Sequence, residues 1–197
     1  MSQVPLGSLA RVRVGFQFRT EAPYSPTGKY ALVQLRDSKG IFSFQSYESH
    51  RIDGDDIRKE DLLVRGDVLL RAKGKNHYAV LVDQNVSNTI AGAACLVIRP
   101  VEGKIIPGFL TWYLNQPPAQ SFLNKISAGT SIPVVNKKAL LDLEVPLPSI
   151  KVQEAVGELY QLQLLEDALE EKLSKSKKYF LNAKMLQASG AEILTVR

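Results

Sequence analysis

The chain is poor in the residue types that most often carry out chemistry. Its 197 residues include one cysteine and two histidines. Cys95 has no partner for an internal disulfide, which fits a reducing, cytoplasmic setting. Within AGAACLVIRP it reads as a small apolar residue on a buried strand. His50 and His77 form no metal-spaced cluster with that single thiol, so no metal site is expected. No apolar run reaches the roughly 18 residues of a membrane span. The opening MSQVPLGSLARVRVGF lacks the apolar stretch of a secretory signal. The segment GDVLLRAKGKN contains glycines and lysines, but not in the order that cradles phosphates. Acidic residues cluster in DGDDIRKED (53–61), yet Arg58 and Lys59 interrupt them and no Glu-x-Lys pattern accompanies them. That run reads as a solvated loop leading into a helix or turn. No catalytic residue is assigned.

What is present is an uneven charge. The formal net charge is +5. Residues 151–197 carry seven Lys/Arg and seven Asp/Glu, so the excess lies in residues 1–150, with eighteen against thirteen. A basic body joined to a neutral extension suggests that the body meets a polyanion.

The first 150 residues read as mixed α and β. KYALVQLRD (29–37) and IFSFQSY (41–47) are rich in β-branched and aromatic residues, with Ser38–Gly40 as a turn between them. Two short strands are expected at Asp67–Arg71 and Tyr78–Val82, joined by the basic loop Ala72–His77, and a buried strand in GAACLVIRP (92–100). From Gly108 apolar residues recur at three- and four-residue spacing, which predicts two helices broken at Pro117 and Pro118. NQPPAQ (115–120) resembles the Asn-Pro-Pro-aromatic loop of amino methyltransferases. Gln116 intervenes, however, and Ala119 replaces the ring, so the prolines read as helix breakers. SAGTSIPVVN (127–136) is a loop, followed by a helical turn and a strand stopped by Pro146 and Pro148.

A long helix then starts at Ser149, a residue suited to N-capping, with Glu154 and Glu158 near the positive end of its dipole. Between Lys151 and Gln187 there is one glycine, Gly157, and no proline. Such a helix would run roughly 55 Å, longer than a compact domain of this size is wide. Its apolar stripe is Val152, Ala155, Val156, Leu159, Leu162, Leu165, Leu169, Leu173 and Phe180. Residues Val152 to Leu159 are expected to be covered by the chain's own domain. Leu162, Leu165, Leu169, Leu173 and Phe180 are expected to meet a partner helix, most simply a second copy in a coiled coil. Glu171 four residues before Lys175 forms a helix-supporting pair.

In combination, LGSLARVRVGFQFR, LLVRGDVLLRAKG, PGFLTWYLN and AGTSIPVVNKKALLDLEVPLPSIKVQ resemble the specificity subunits of type I restriction–modification systems. The resemblance covers nearly the whole chain in the right order, with Ser149 where the family pattern has a second proline. It implies an α+β fold: a target-recognition domain over 1–149, a conserved spacer helix over 150–187 and a tail over 188–197. The family's full-size members have two such domains, and two helices that pair antiparallel as a ruler between them. A chain of half that length is expected to rebuild the arrangement as a symmetric homodimer reading an inverted-repeat DNA target. The resemblance also implies methyltransferase subunits as partners, with S-adenosylmethionine bound on them and no cofactor on this chain, and a restriction/translocase subunit as a further partner. Lysines would anchor phosphates and polar loop residues would read base edges in the major groove. The candidates are Lys73, Lys75, Asn76, His77 and Tyr78 in one loop, Thr130, Ser131, Asn136, Lys137 and Lys138 in a second, and Arg19 from the first motif. Two rival readings remain open at this point: a stand-alone DNA-binding regulator, and one half of a split specificity protein.

Overall fold

The computed structural model describes residues 2–18, 24–35, 50–54, 56–128 and 132–189. Its centre is a four-stranded antiparallel sheet of β2 (Ala10–Val14), β5 (Val68–Arg71), β6 (Ala79–Leu81) and β8 (Cys95–Pro100), in the order β2-β8-β5-β6. Val68, Leu69 and Leu70 are all buried, although strands usually alternate. The reason is that both faces of this sheet are covered. Val68 and Leu70 face a helical layer, while Leu69 packs with Val33, Leu35, Val80 and Val97 under a second sheet. That second sheet holds β3 (Tyr30–Val33), β4 (Arg51–Ile52) and β7 (Thr89–Ala91), with β3 and β7 parallel. A run of consecutive apolar residues is what a doubly covered strand needs.

The helical layer consists of α2 (Pro107–Leu114) and α3 (Pro117–Ser127). Each begins on a proline, whose missing N–H costs nothing in a first turn. Two short helices, α1 (Leu6–Leu9) and α4 (Lys137–Leu140), complete the body. So does a small antiparallel pair, β1 (Gln3–Pro5) with β9 (Glu144–Pro146). Asp67 is fully buried and receives Arg99 through two 2.7 Å bonds, from Nε to Oδ1 and from Nη2 to Oδ2. Cys95 is buried at the start of β8, and burial pushes its thiol up to about 11, so no thiolate forms near neutral pH.

The predicted strand at 41–47 and its turn lie outside the described residues. The expected helices and the β5–β6 hairpin are present, and DGDDIRKED leads into a single 3-10 turn at Lys59–Asp61.

The final helix, α5 (Ile150–Ser189), has 40 residues and is about 60 Å long. The Ser149 carbonyl accepts the Val152 and Gln153 N–H groups at 2.9 and 3.0 Å. Three residues root α5 on α2. Gln153, almost fully buried, accepts the Ile106 N–H at 3.0 Å and donates to the Pro148 carbonyl at 2.9 Å. Gly157 lies directly on Gly108: a Cβ there would sit 3.0 Å from the Phe109 nitrogen and 3.1 Å from the Gly108 carbonyl carbon. Tyr160 accepts a 2.9 Å bond from Asn115 Nδ2. Asn115 in turn exchanges two 2.9 Å bonds with the Ala79 backbone, closing the open edge of β6 as a neighbouring strand would.

The covered face of α5 is therefore not the leucine stripe. Val152 and Leu159, expected under the domain, are 45% and 66% exposed. Leu162 follows Gln153 by nine residues, which at 100° per residue is half a turn round the helix. Of the stripe residues expected under the domain, Val156 packs on the core, beside the docking residues Gln153, Gly157 and Tyr160, while the leucines from Leu159 outward are exposed.

Candidate nucleic-acid interface

The β5–β6 hairpin is set by apolar pairing, Val68 opposite Leu81 and Leu70 opposite Ala79. Beyond Arg71 the chain must turn, and it does so through Gly74 at φ +111°, a left-handed conformation that favours glycine. A side chain at Gly74 would also collide with the Arg71 guanidinium, 2.6 Å from the ideal Cβ. Arg71 is buried, with Nη1 donating to the Asn76 carbonyl at 3.4 Å and its guanidinium 6.0 Å from the Tyr78 ring centroid.

This loop is joined to the segment before α4. Lys73 and Val134 form an antiparallel bridge. The Gly74 N–H donates to the Pro133 carbonyl at 3.0 Å, and the Val135 N–H to the Ala72 carbonyl at 2.9 Å. Two candidate loops some sixty residues apart in sequence thus form one edge. On it Lys73, Lys75, Asn76, Lys137 and Lys138 are exposed. Asn136 is exposed too, but its Oδ1 already accepts the Lys138 N–H at 2.8 Å and caps α4. Ile132 and Val134 stand exposed on the same segment. Sequence reasoning passed over them, although apolar side chains inside a turn-rich SIPVVN stretch were the available signal. Such residues suit contact with a thymine methyl group.

Two candidates are placed differently from the expectation. Tyr78 is buried in the second core cluster. His77 is buried with both ring nitrogens engaged, Nδ1 3.1 Å from the Arg71 carbonyl and Nε2 3.0 Å from Ser127 Oγ. A carbonyl can only accept, so the neutral tautomer carries its proton on Nδ1 and accepts from Ser127. Burial lowers the His77 pKa, and the nearby Arg71 charge adds to that, against the raising effect of the Arg71 carbonyl bond. The ring is a tie between the hairpin and the end of α3 and does not reach the surface. Arg19, Thr130 and Ser131 lie outside the described residues.

On α5 the candidate partner residues Leu162, Leu165, Leu169, Leu173 and Phe180 are all exposed, each by 54% or more. Glu171 and Lys175 form the expected pair at 2.6 Å. The helix is also divided by charge. After Lys151 in the first turn, Glu154, Glu158, Glu166, Asp167, Glu170 and Glu171 precede Lys172, Lys175, Lys177, Lys178 and Lys184, with no exchange between these two blocks. Among the described residues no three His, Cys, Asp or Glu side chains gather as a metal site, and no helix is long and apolar enough to cross a membrane.

Residues 2–176 match the family described as "Type I restriction modification DNA specificity domain". Over 121 residues, 61% of the chain, the sequence is 31% identical to the type I restriction enzyme EcoBI specificity subunit of Escherichia coli, and the match covers 24% of that protein. The fold is similar to the S subunit of a type I restriction–modification system from M. genitalium (TM-score 0.60, 18% identity, 88% of this chain and 41% of that one). It is similar also to the HsdS subunit from Thermoanaerobacter tengcongensis (TM-score 0.58, 20% identity, 87% of this chain and 39% of that one). A chain from a structure of type I R-M complex assembly and conformational transition has a TM-score of 0.58 at 19% identity, with 92% of this chain and 43% of that one covered. The chain thus spans 24% of the curated relative it matches and 39–43% of these structural neighbours.

Proposed function

The chain belongs to the type I restriction–modification DNA specificity family, and from that premise we propose that it reads one half of a bipartite DNA site without catalysing a step itself. The observation that carries this reading is the junction of the two lysine-bearing segments, 72–77 and 132–138, into one exposed edge. Backbone pairing fixes the edge, so Lys73, Lys75, Lys137 and Lys138 act together on successive phosphates, while Asn76, Ile132 and Val134 stand where base edges can be read. The arm α5 pairs with the arm of a second copy, and a two-fold pair reads an inverted repeat with a fixed gap. The charge division of α5 favours self-pairing in opposite directions, since that sets each acidic block beside a lysine block and a parallel pair would set like beside like. In this reading methyltransferase subunits dock on the assembly and bring S-adenosylmethionine, and a restriction/translocase subunit joins them.

The test is duplex binding by fluorescence anisotropy over a salt series. The affinity should fall with salt at a log–log slope of about −0.9 per neutralised phosphate. Replacing Lys73, Lys75, Lys137 and Lys138 together with alanine should flatten that slope by up to about 3.6, if each lysine neutralises one phosphate. An unchanged slope with the fold intact would remove this edge from the DNA surface.

A further inference from the structure

Past Val14 the chain of β2 leaves the central sheet and crosses to the second one. The Gly15 N–H still donates to the Cys95 carbonyl on β8 at 2.9 Å. The Phe16 N–H already donates to the Ala91 carbonyl at 2.7 Å, and Phe16 bridges Gly92 in parallel, as a continuation of the β3–β7 sheet. The crossing is tight, because a Cβ on Gly15 would collide with the Gly92 carbonyl oxygen. Beyond it Phe16 and Phe18 meet edge to face, with ring centroids 4.9 Å apart, and pack on the cluster of Tyr30, Leu32, Ile52 and Ile90. Gln17 stands between these two anchored rings. It is exposed, and its carboxamide has no partner among the described residues.

Alternation fixes the side on which Gln17 lies. Successive side chains of an extended segment point to opposite faces. Phe16 and Phe18 share a face of the second sheet with Leu32 and Ile90, so Gln17 lies on the other face, that of Val33 and Ala91. That face looks at the central sheet, where Leu69 packs in the same cluster. Lys73 follows Leu69 by four residues and keeps its side. Gln17 and Lys73 therefore flank the open end of the sandwich, one on each of two sheets that pack about 10 Å apart. The turn between them is held by both neighbours. The Ala72 and Lys73 N–H groups donate to the Ala94 carbonyl at 2.8 and 3.2 Å, and the Cys95 N–H donates to the Gly92 carbonyl at 3.0 Å. Ala93 and Ala94 put only methyl groups on this turn, which leaves room for a ligand between lysine and glutamine.

Segments 132–135, 72–74, 92–95 and 15–16 thus lie side by side, and the reading edge continues from the first sheet onto the second. A carboxamide held outward, with donor and acceptor both free, matches the major-groove side of adenine. Its NH2 group donates to N7 and its oxygen accepts from the N6 amine. A residue kept for phosphate alone would carry a charge, and one kept for structure would have its amide engaged within the chain. We propose that Gln17 is a base-reading residue, its carboxamide bonded to one adenine of the half-site whose backbone Lys73 grips. The inference rests on the DNA reading proposed above and adds to it a base contact from the second sheet.

The test is selection from a randomised duplex library by the full chain, read by sequencing, for the parent, Gln17→Ala and Gln17→Glu. The parent should select adenine at one position where Gln17→Ala loses about tenfold in discrimination, while the other positions and the salt slope stay as in the parent. Gln17→Glu should exchange that adenine for cytosine, whose N4 amine a carboxylate accepts. Preferences unchanged in both variants overturn the inference. So does a loss of affinity that is uniform over all sequences, which is what a supporting role would give, and so does relaxation at a position where the parent selects another base. If the two variants change nothing while the fourfold lysine replacement still flattens the salt slope of a sequence-selecting parent, the DNA edge stands and only Gln17 is wrongly assigned. A parent chain that enriches no sequence overturns both.

Discussion

The body and the arm use leucine in opposite ways. In the body, Leu6, Leu70, Leu110, Leu114, Leu123 and Leu140 are fully buried. On the arm, Leu162, Leu165, Leu169 and Leu173 are more than half exposed, although the residues are the same and the helix is well formed. The arm is held to the body by a glycine contact, by Val156 against the core and by hydrogen bonds that the Gln153 and Tyr160 side chains accept. The difference teaches that apolar periodicity locates a face that must be covered, but not what covers it. A face docked by backbone contact and hydrogen bonds leaves almost no apolar signal, and so the stripe can be spent elsewhere.

The strongest way to break this contrast is to truncate one leucine in each region. Leu110→Ala should cost about 2–5 kcal/mol of unfolding free energy, as a cavity under α2. Leu169→Ala should change the stability of the monomer by no more than about 0.5 kcal/mol and weaken association instead. Urea unfolding at a concentration where the chain is monomeric separates the two effects. Equal losses at both positions would show that the stripe is covered within the chain.

A smaller effect is expected at the joint. Gly157→Val should cost about 1–3 kcal/mol, because its Cβ and methyl groups would meet the backbone of Gly108 and Phe109, which cannot swing aside. Hydrogen exchange should then rise around 153–160 while the four-stranded sheet stays protected. Uniform loss of protection would mean that arm and body do not fold as separable units.

The smallest effect is in the body alone. His77 is held neutral in the folded state, with a pKa below the ordinary value of about 6.5 that it regains on unfolding. The unfolded chain therefore binds more protons below that value. Its contribution to stability is fully present above about pH 6.5 and is lost as the pH falls toward the folded pKa. Thermal melts of the parent and of His77→Gln should differ in slope below about pH 6.5 and run parallel above it. Parallel curves throughout would remove the histidine from the tie between hairpin and α3.

Much of the body was legible in the sequence because its signals are local. The short apolar runs of β5, β6 and β8, the prolines opening α2 and α3 and the unbroken pattern of α5 each declare themselves within a few residues. The elements that escaped reading are paired far along the chain, and apart from the five-residue β2 they are short. β1 has three residues and its partner β9 lies about 140 positions away, and β4 has two. Nothing local distinguishes such strands from loop. The same holds for the interface. Both lysine loops were visible as loops, but their union depends on the Lys73–Val134 bridge, a pairing no periodicity announces. His77 looked like a loop residue because it follows Gly74 and Asn76, and Tyr78, expected to open the next strand, was counted with that loop's surface residues. The structure turns both inward as the chain re-enters the sheet.

The pairing of β1 with β9 has a further consequence. Pro5 lies opposite Glu144, so the polypeptide comes into the body and departs from it at a single doorway, a few residues before the arm begins. The stretch between has adjoining ends, so a different loop edge could be spliced in there, and the arm would keep its length and direction provided that α2, on which it is rooted, comes with it.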